Sequence, residues 1–165
     1  MHKKVCVFSL ALSLFLSGCI KKKEAVYVSD ETLVKNQLVH FEESVKQENP
    51  QLFSDYYSRD KLTVYPLWQE EILDSWDQVL EYWRNVFDQT KIAEFALSSV
   101  TVTSSGRFAY VKGNWEMKIE KKKLVRKKKQ FETLLGRYSA VFENHEGNWQ
   151  VVLEHMSLPS AKLPQ

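Results

Sequence analysis

The sequence predicts an α+β fold in which helices come first and antiparallel strands follow, with the helices on one face of the sheet. Up to about residue 90, apolar residues recur every three or four positions, which is helical spacing. After Lys91 the spacing changes to two, in segments rich in Val, Thr, Phe, Tyr and Trp. A chain of 165 residues with 44% apolar and 13% aromatic residues can form one core, so we expect one domain.

The predicted helices begin at recognisable caps. Ser29 or Asp30 caps a first helix, and Asn49 followed by Pro50 opens a short second helix over residues 51–57. Ser75, with Gln78 three residues later, forms a capping box for a third helix. The apolar stripe of the first helix is Val34, Leu38, Phe41 and Val45, and that of the third is Trp76, Val79, Leu80, Trp83 and Phe87.

The predicted strands are one short segment, "KLTVYP", and four long segments that follow the third helix. The long strands are Glu94–Thr103, Arg107–Ile119, Gln130–Glu143 and Asn148–Ser157. In Gln130–Glu143, apolar residues occupy both odd and even positions, whereas a sheet covered on one face alternates cleanly. We therefore expect the second face to meet a second subunit, which predicts a homodimer through the sheet.

The N-terminus reads as a secretory signal. Lys3 and Lys4 precede an apolar run from Val5 to Leu16, which is shorter than the ~20 residues of a membrane span. The "LSGC" that ends at Cys19 resembles the lipobox of bacterial lipoproteins. This resemblance implies cleavage before Cys19 and lipid attachment to its sulfur, followed by fatty acylation such as palmitate. It places the protein in the cell envelope, anchored to a bacterial membrane, the outer one in a Gram-negative cell.

The sequence thus divides into a signal peptide (1–18), a lipidated cysteine with a tether (19–28) and one domain (29–165). The signal removes two lysines and no acid, so 21 basic and 21 acidic residues leave the mature chain neutral. One cysteine leaves with the signal and Cys19 is modified, so no disulfide can form within one chain.

The end of the chain carries the sharpest resemblance to a known family. Residues 137–142 ("RYSAVF"), 147–149 ("GNW") and 155–159 ("HMSLP") are similar to the R-x-T-x-V-F, G-x-W and H-x-S-x-P ending of SnoaL-like domains and of the calcium/calmodulin-dependent kinase association domain. The order of elements over 32–159 fits the nuclear transport factor 2-like superfamily, which includes ketosteroid isomerase.

This resemblance implies a cone-shaped, curved antiparallel sheet with about three helices on one face. It implies little about activity, because the fold hosts isomerases, cyclases, hydratases, assembly hubs and binding modules. The tyrosine and two acids of ketosteroid isomerases have no matching positions here, and "LDS" at 73–75 stands where the family often has a glycine.

Glu154 and His155 are adjacent in a strand, so their side chains should point to opposite faces and cannot form an acid–base pair. By strand parity His155 should share a face with Trp149 and Val151. Either His155 acts in the cone, with Arg137 as an anion anchor, or it hydrogen-bonds a neighbouring strand or subunit.

The aromatic side chains have two interpretations, a cavity lining or ordinary core. The candidate cavity or ligand-binding residues are Tyr56, Tyr57, Trp68, Trp115, Arg137 and His155. A cavity would suit a small apolar ligand or substrate.

A basic run from Lys118 to Lys129 lies between two long strands. One interpretation is contact with an anionic surface, and the other is a solvated hairpin whose charges prevent edge pairing. The candidate contact residues are Lys121, Lys122, Lys123, Arg126, Lys127, Lys128 and Lys129.

No nucleotide-binding, hydrolase-elbow or redox motif occurs, and the histidines lack metal-ligand spacing, so we expect no cofactor and no metal. Nucleic acid is not an expected partner in the envelope. The sequence favours a non-catalytic module that binds a ligand or an envelope protein. The alternative is an isomerase- or cyclase-type enzyme that uses Tyr56 or Tyr57 with Arg137 and His155.

Overall fold

A computed structural model describes residues 28–121 and 130–159. Helix α1 spans Asp30–Lys46, and the side chain of Ser29 accepts a hydrogen bond from the Thr32 amide at 3.3 Å. The four residues of its predicted apolar stripe are buried in the core. The predicted start and the predicted stripe of this helix are therefore confirmed.

The second helix is a 3₁₀ helix over Pro50–Asp55, capped by Asn49. Helix α2 spans Trp76–Gln89, and Ser75 caps it as the capping box predicts. The buried face of α2 includes Tyr82 and Val86, whereas Leu80 is only half-buried.

Five strands form one sheet in the order β1-β5-β4-β3-β2. The strands are β1 (Thr63–Tyr65), β2 (Lys91–Ser105), β3 (Phe108–Lys121), β4 (Gln130–His145) and β5 (Asn148–Ser157). Strands β2 to β5 pair antiparallel in chain order, but β1 pairs parallel to β5, so the sheet is mixed rather than antiparallel. β1 comes from the helical half of the chain. It lies at the edge of the sheet beside β5 and runs in the same direction as β5.

Register shifts interrupt the pairing of β2 with β3 twice and that of β4 with β5 once. Such bulges bend and twist a strand, which accounts for the curvature of the sheet around the helices. The helices cover its inner face, where the largest fully buried side chains include Trp83, Trp115 and Trp149. The inner side of the sheet and the helices thus enclose one core.

The opposite, outer face of the sheet carries a row of apolar side chains across three strands. Tyr110 pairs with Val141, and Val141 pairs with Leu153. Tyr110 is 49% exposed and Leu153 is 36% exposed. The two-sided apolar pattern of β4 therefore corresponds to one face in the core and one face open in the single chain.

The signal peptide, Cys19, the tether and residues 122–129 lie outside the described residues. Of the helices within the described ranges, none has both the length and the apolar character that a membrane span requires.

Candidate functional site

Glu154 points into the core, and a bulge on β5 is the reason. Val141 pairs with Leu153, but the next residue of β4, Phe142, pairs with Val151, so Val152 is left without a partner in the register. The extra residue reverses the alternation of side chains along β5. Glu154 therefore lies on the inner face with Val151, and its side chain is 1% exposed.

Because of this bulge, the face that strand parity predicts for His155 is wrong. His155 does not share a face with Trp149 and Val151, which are buried, but lies exposed on the outer face with Leu153. The ring of Tyr65 on β1 lies 6.1 Å from the His155 ring on that outer face. Glu154 and His155 point to opposite faces, as predicted.

Three tyrosine hydroxyls surround the Glu154 carboxyl. Tyr57 donates to Oε1 at 2.8 Å, while Tyr56 and Tyr138 donate to Oε2 at 3.2 and 3.3 Å. The hydroxyls of Tyr56 and Tyr138 also lie within hydrogen-bond reach of each other; because each carries one proton, a hydroxyl that donates to the other tyrosine does not donate to Glu154 at the same time. Trp83 Nε1 donates to the Tyr57 hydroxyl at 3.4 Å, so the buried polar atoms of this tyrosine–glutamate cluster are paired within the protein.

Backbone pairing holds two of these tyrosines against β5. The Val151 amide donates to the Tyr56 carbonyl at 2.8 Å, and the Ser58 amide donates to the Val151 carbonyl at 2.9 Å. The ring of Phe41 on α1 stacks on Tyr56 with ring centroids 4.7 Å apart. The segment after the 3₁₀ helix is thereby fixed between α1 and the strand that carries Glu154.

Burial raises the pKa of Glu154 to about 7, even though the three tyrosine hydrogen bonds act to lower the pKa. The loss of hydration outweighs those bonds because water does not reach the carboxyl. Burial, with the nearby glutamate adding to it, also raises the pKa of Tyr56, Tyr57 and Tyr138 well above the usual range. The cluster thus holds one group that exchanges a proton near neutral pH, which is a property of general acids and bases.

The interior around this cluster is filled with side chains. Glu154 and the three tyrosines are each 2% exposed or less. Five clefts of about 310 to 440 Å³ open on the described residues, and Glu154 lines none of them. Tyr56 lines one of these clefts and Tyr138 lines another, but none of the five reaches the Glu154 carboxyl in this conformation.

The predicted cavity residues lie in three separate parts of the structure. Tyr56, Tyr57 and Trp115 are buried in the core, and Trp115 Nε1 donates to the Arg137 carbonyl at 3.1 Å. Arg137 and His155 line an outer-face cleft of about 440 Å³ together with Lys112, Asn114 and serine side chains. Trp68 is 41% exposed and lies in the third part, where it lines a cleft beside α2.

The residues predicted to act together in an enzyme, Tyr56 or Tyr57 with Arg137 and His155, therefore do not meet at one site. The side chains of Tyr56 and Tyr57 lie on the inner side of the sheet, whereas those of Arg137 and His155 lie on the outer side. Cys19 and the basic candidates at residues 122–129 lie outside the described residues, and the side chain of Lys121 is not described either.

Sequence reasoning missed Glu154 and Tyr138 as partners. The position of an acid between apolar residues of a strand is a signal of a buried carboxyl. Strict alternation, however, predicts that Glu154 shares a face with Gln150 and Val152, because the bulge is not visible in the pattern. It also missed Glu143, a second buried acid that is 2% exposed. Glu143 contacts the charged side chains of Lys61 at 3.5 Å and Arg107 at 3.3 Å, which makes it a structural ion-pair site at one end of the sheet.

Within the two described ranges, no group of three or more His, Cys, Asp or Glu side chains is arranged to hold a metal ion.

Solved structures with a similar fold come from several bacteria. A candidate dehydratase of the nuclear transport factor 2-like family from Streptomyces avermitilis is 16% identical, with a TM-score of 0.69, over 78% of this chain and 96% of that one. A candidate calcium/calmodulin-dependent protein kinase II association domain from Xanthomonas campestris is 20% identical, with a TM-score of 0.67, over 81% and 90%. A nuclear transport factor 2-like protein from Salmonella enterica is 16% identical, with a TM-score of 0.65, over 80% and 92%. The TM-scores show a shared fold, and at these low identities they show the fold alone.

Comparison with curated protein sequences finds no match. The profile of the SnoaL-like domain, in contrast, matches residues 34–161, which is most of the chain. That range includes α1 from residue 34 onward, both later helices, all five strands and the tyrosine–glutamate cluster. The chain therefore belongs to the SnoaL-like domain family, within the nuclear transport factor 2-like fold.

Proposed function

We propose that this protein is a lipid-anchored envelope protein whose SnoaL-like domain binds a ligand or another protein without catalysing a reaction. The family includes both enzymes and non-catalytic binding members, so the domain alone does not decide between them. The observation that carries the proposal is the closed interior. The acid–base cluster around Glu154 is paired with protein groups, and its carboxyl lines none of the five clefts that open on the described residues.

An isomerase- or cyclase-type enzyme that acts on a small apolar substrate is the second candidate, and Glu154 favours it. Its pKa of about 7 suits proton transfer at neutral pH, and apolar rings surround it. This enzyme would need the aromatic packing to open, because three buried tyrosines already hydrogen-bond the Glu154 carboxyl.

Nitration of tyrosines separates the two candidates. Tetranitromethane should modify the exposed Tyr65, while Tyr56, Tyr57 and Tyr138 should stay unmodified in the folded protein because they are buried. Peptide mass spectrometry reads each site separately. Nitration of the three buried tyrosines at the rate of Tyr65 would mean that the interior opens to small molecules, and would favour the enzyme.

The anchor is the second part of the proposal, and it rests on the "LSGC" segment that ends at Cys19. Growth with a labelled fatty acid should label the wild-type protein. Cys19→Ser should abolish the label, because serine has no thiol to form the thioether. Undiminished labelling of the serine variant would refute the lipoprotein assignment without affecting the domain.

The third part is the homodimer, for which the outer-face row of Tyr110, Val141 and Leu153 is the proposed interface. Exposed apolar residues in register across three strands are the kind of surface that a second copy covers. The basic and polar residues beside the row, Lys112 and His155 among them, would form the polar rim.

A further inference from the structure

A cleft of about 440 Å³ lies between α2 and the segment that leads into it. Its walls include Trp68, Tyr82 and Ile119 together with three carboxamide side chains, those of Gln69, Asn85 and Gln89. This volume lies within the range of sites that hold small ligands in proteins. The cleft is separate from the tyrosine–glutamate cluster, and neither the proposed anchor nor the proposed dimer interface involves it.

The lining of this α2 cleft carries no charged side chain among the described residues. Charged residues make up 27% of the chain, and four other clefts in the described ranges each include at least one of them. A charged ligand would lose hydration here without gaining a counter-charge. The α2 cleft therefore suits an uncharged ligand.

The three carboxamides define how that ligand would be held. Asn85 and Gln89 are four residues apart, so they share one face of α2, and Gln69 joins them from the preceding segment. Within the described part of the chain, no protein group hydrogen-bonds these carboxamides. Each carboxamide offers two N–H donors and a carbonyl acceptor, which match hydroxyl and acetamido groups that both donate and accept.

Trp68 supplies the apolar part of the site. Its side chain is 41% exposed, although tryptophan is among the side chains that gain most from burial. The faces of aromatic rings are slightly negative and attract slightly positive C–H groups. A sugar ring has an apolar face of C–H groups and an edge of hydroxyls, so it fits an indole beside carboxamides.

We propose that the α2 cleft binds an uncharged sugar ring, with Trp68 against the C–H face and the carboxamides on the polar edge. The inference deepens the proposed function and rests on its ligand-binding part, since it names the chemical class of a ligand. It depends on neither the lipid anchor nor the dimer.

The test is titration of the full-length protein in detergent with chitotriose, an acetamido sugar, and with maltotriose, which carries only hydroxyls. Saturation-transfer NMR on the sugar and isothermal calorimetry measure binding. Binding of either sugar supports the proposal and shows whether the acetamido group contributes. Absence of binding by both at millimolar concentration overturns it, as does tighter binding of an anionic oligogalacturonate.

Two variants test the location of the site. Trp68→Ala should weaken binding at least tenfold, and Asn85→Asp should weaken it several-fold, because aspartate loses the N–H donors and brings a charge. The matched control is Tyr65→Ala, since Tyr65 is 42% exposed but lies beside His155 on the outer face. Unchanged affinity in Trp68→Ala, with a native circular dichroism spectrum, overturns the assignment to this cleft.

The same NMR experiment separates this inference from the proposed function. If the sugar binds but is slowly converted to products, the α2 cleft stands and the non-catalytic role fails. If no sugar binds while the buried tyrosines resist nitration, the α2 cleft assignment fails and the closed, non-catalytic domain stands.

Discussion

At the scale of single residues, the Glu154 carboxyl shows two opposing effects acting on one pKa. Three tyrosine hydroxyls at 2.8 to 3.3 Å favour the ionised form, while burial at 1% exposure favours the neutral form. Burial is the larger effect, and the pKa rises from 4.5 to about 7. The folded protein therefore retains a proton at a pH where the unfolded chain has released it.

This difference predicts how stability changes with pH. The contribution of Glu154 to the free energy of unfolding is fully present below pH 4.5 and is lost as pH rises through 7. Over that interval the loss amounts to roughly 3 kcal/mol, at about 1.4 kcal/mol per unit. In Glu154→Gln the group cannot ionise, so the variant should lack this decline and should gain stability relative to wild type between pH 5 and 8.

Urea denaturation at pH 5, 6, 7 and 8 measures the difference between wild type and Glu154→Gln. Parallel curves for the two proteins over this range would show that Glu154 is ionised, or hydrated, in the folded state.

At the scale of elements, the backbone of β4 at Gly136 packs closely against a tryptophan ring and the neighbouring strand β5. A Cβ at Gly136 on β4 would lie 2.2 Å from the Trp115 ring and 2.3 Å from the Ser157 carbonyl oxygen. Neither neighbour is a flexible side-chain end, so the position needs glycine. Farther along β5, the bulge at Val152 aims Glu154 at the tyrosines.

Gly136→Ala should therefore lower the free energy of unfolding by about 3 kcal/mol, the upper end of what overpacking in a core costs. Gly106→Ala is the matched control in the turn between β2 and β3, where no atom lies within 4 Å of the added methyl group. Its φ of +58° costs an alanine about 1 kcal/mol. Chemical denaturation of both variants measures the difference, and equal losses would contradict the close contact at Gly136.

At the scale of the whole molecule, the two faces of the sheet have different roles. The inner face and the helices share one core, while the outer face presents Tyr110, Val141 and Leu153 to solvent in the single chain.

The dimer can be tested with a chain that starts at Ser29, the cap of α1. Light scattering should give a dimer for the wild type and a monomer for Leu153→Glu, because a charge would be buried in the interface. Leu52→Glu is the control, since Leu52 is 41% exposed on the 3₁₀ helix, on the helical side of the sheet. A monomeric wild type at high concentration would refute the interface.

The basic run can be tested with the same unlipidated chain. Reversal of Lys121, Lys122, Lys123 and Lys127 to glutamate should weaken sedimentation with anionic vesicles at low salt at least tenfold. Each basic residue near such a surface contributes up to ~1 kcal/mol. Neutral vesicles serve as the control for non-electrostatic binding. If the wild type sediments equally with both kinds of vesicle, the run is a solvated hairpin.

The sequence by itself determined the class of fold, the helix caps, the apolar stripe of α1 and most of the strands. These features follow from local periodicity and local hydrogen bonds, which are visible along the chain. Only the tertiary structure decided that β1 joins parallel to β5, that Val152 forms a bulge and that Glu154 meets Tyr56, Tyr57 and Tyr138. Those contacts join residues as many as 98 positions apart, so they depend on how the sheet curves around the helices.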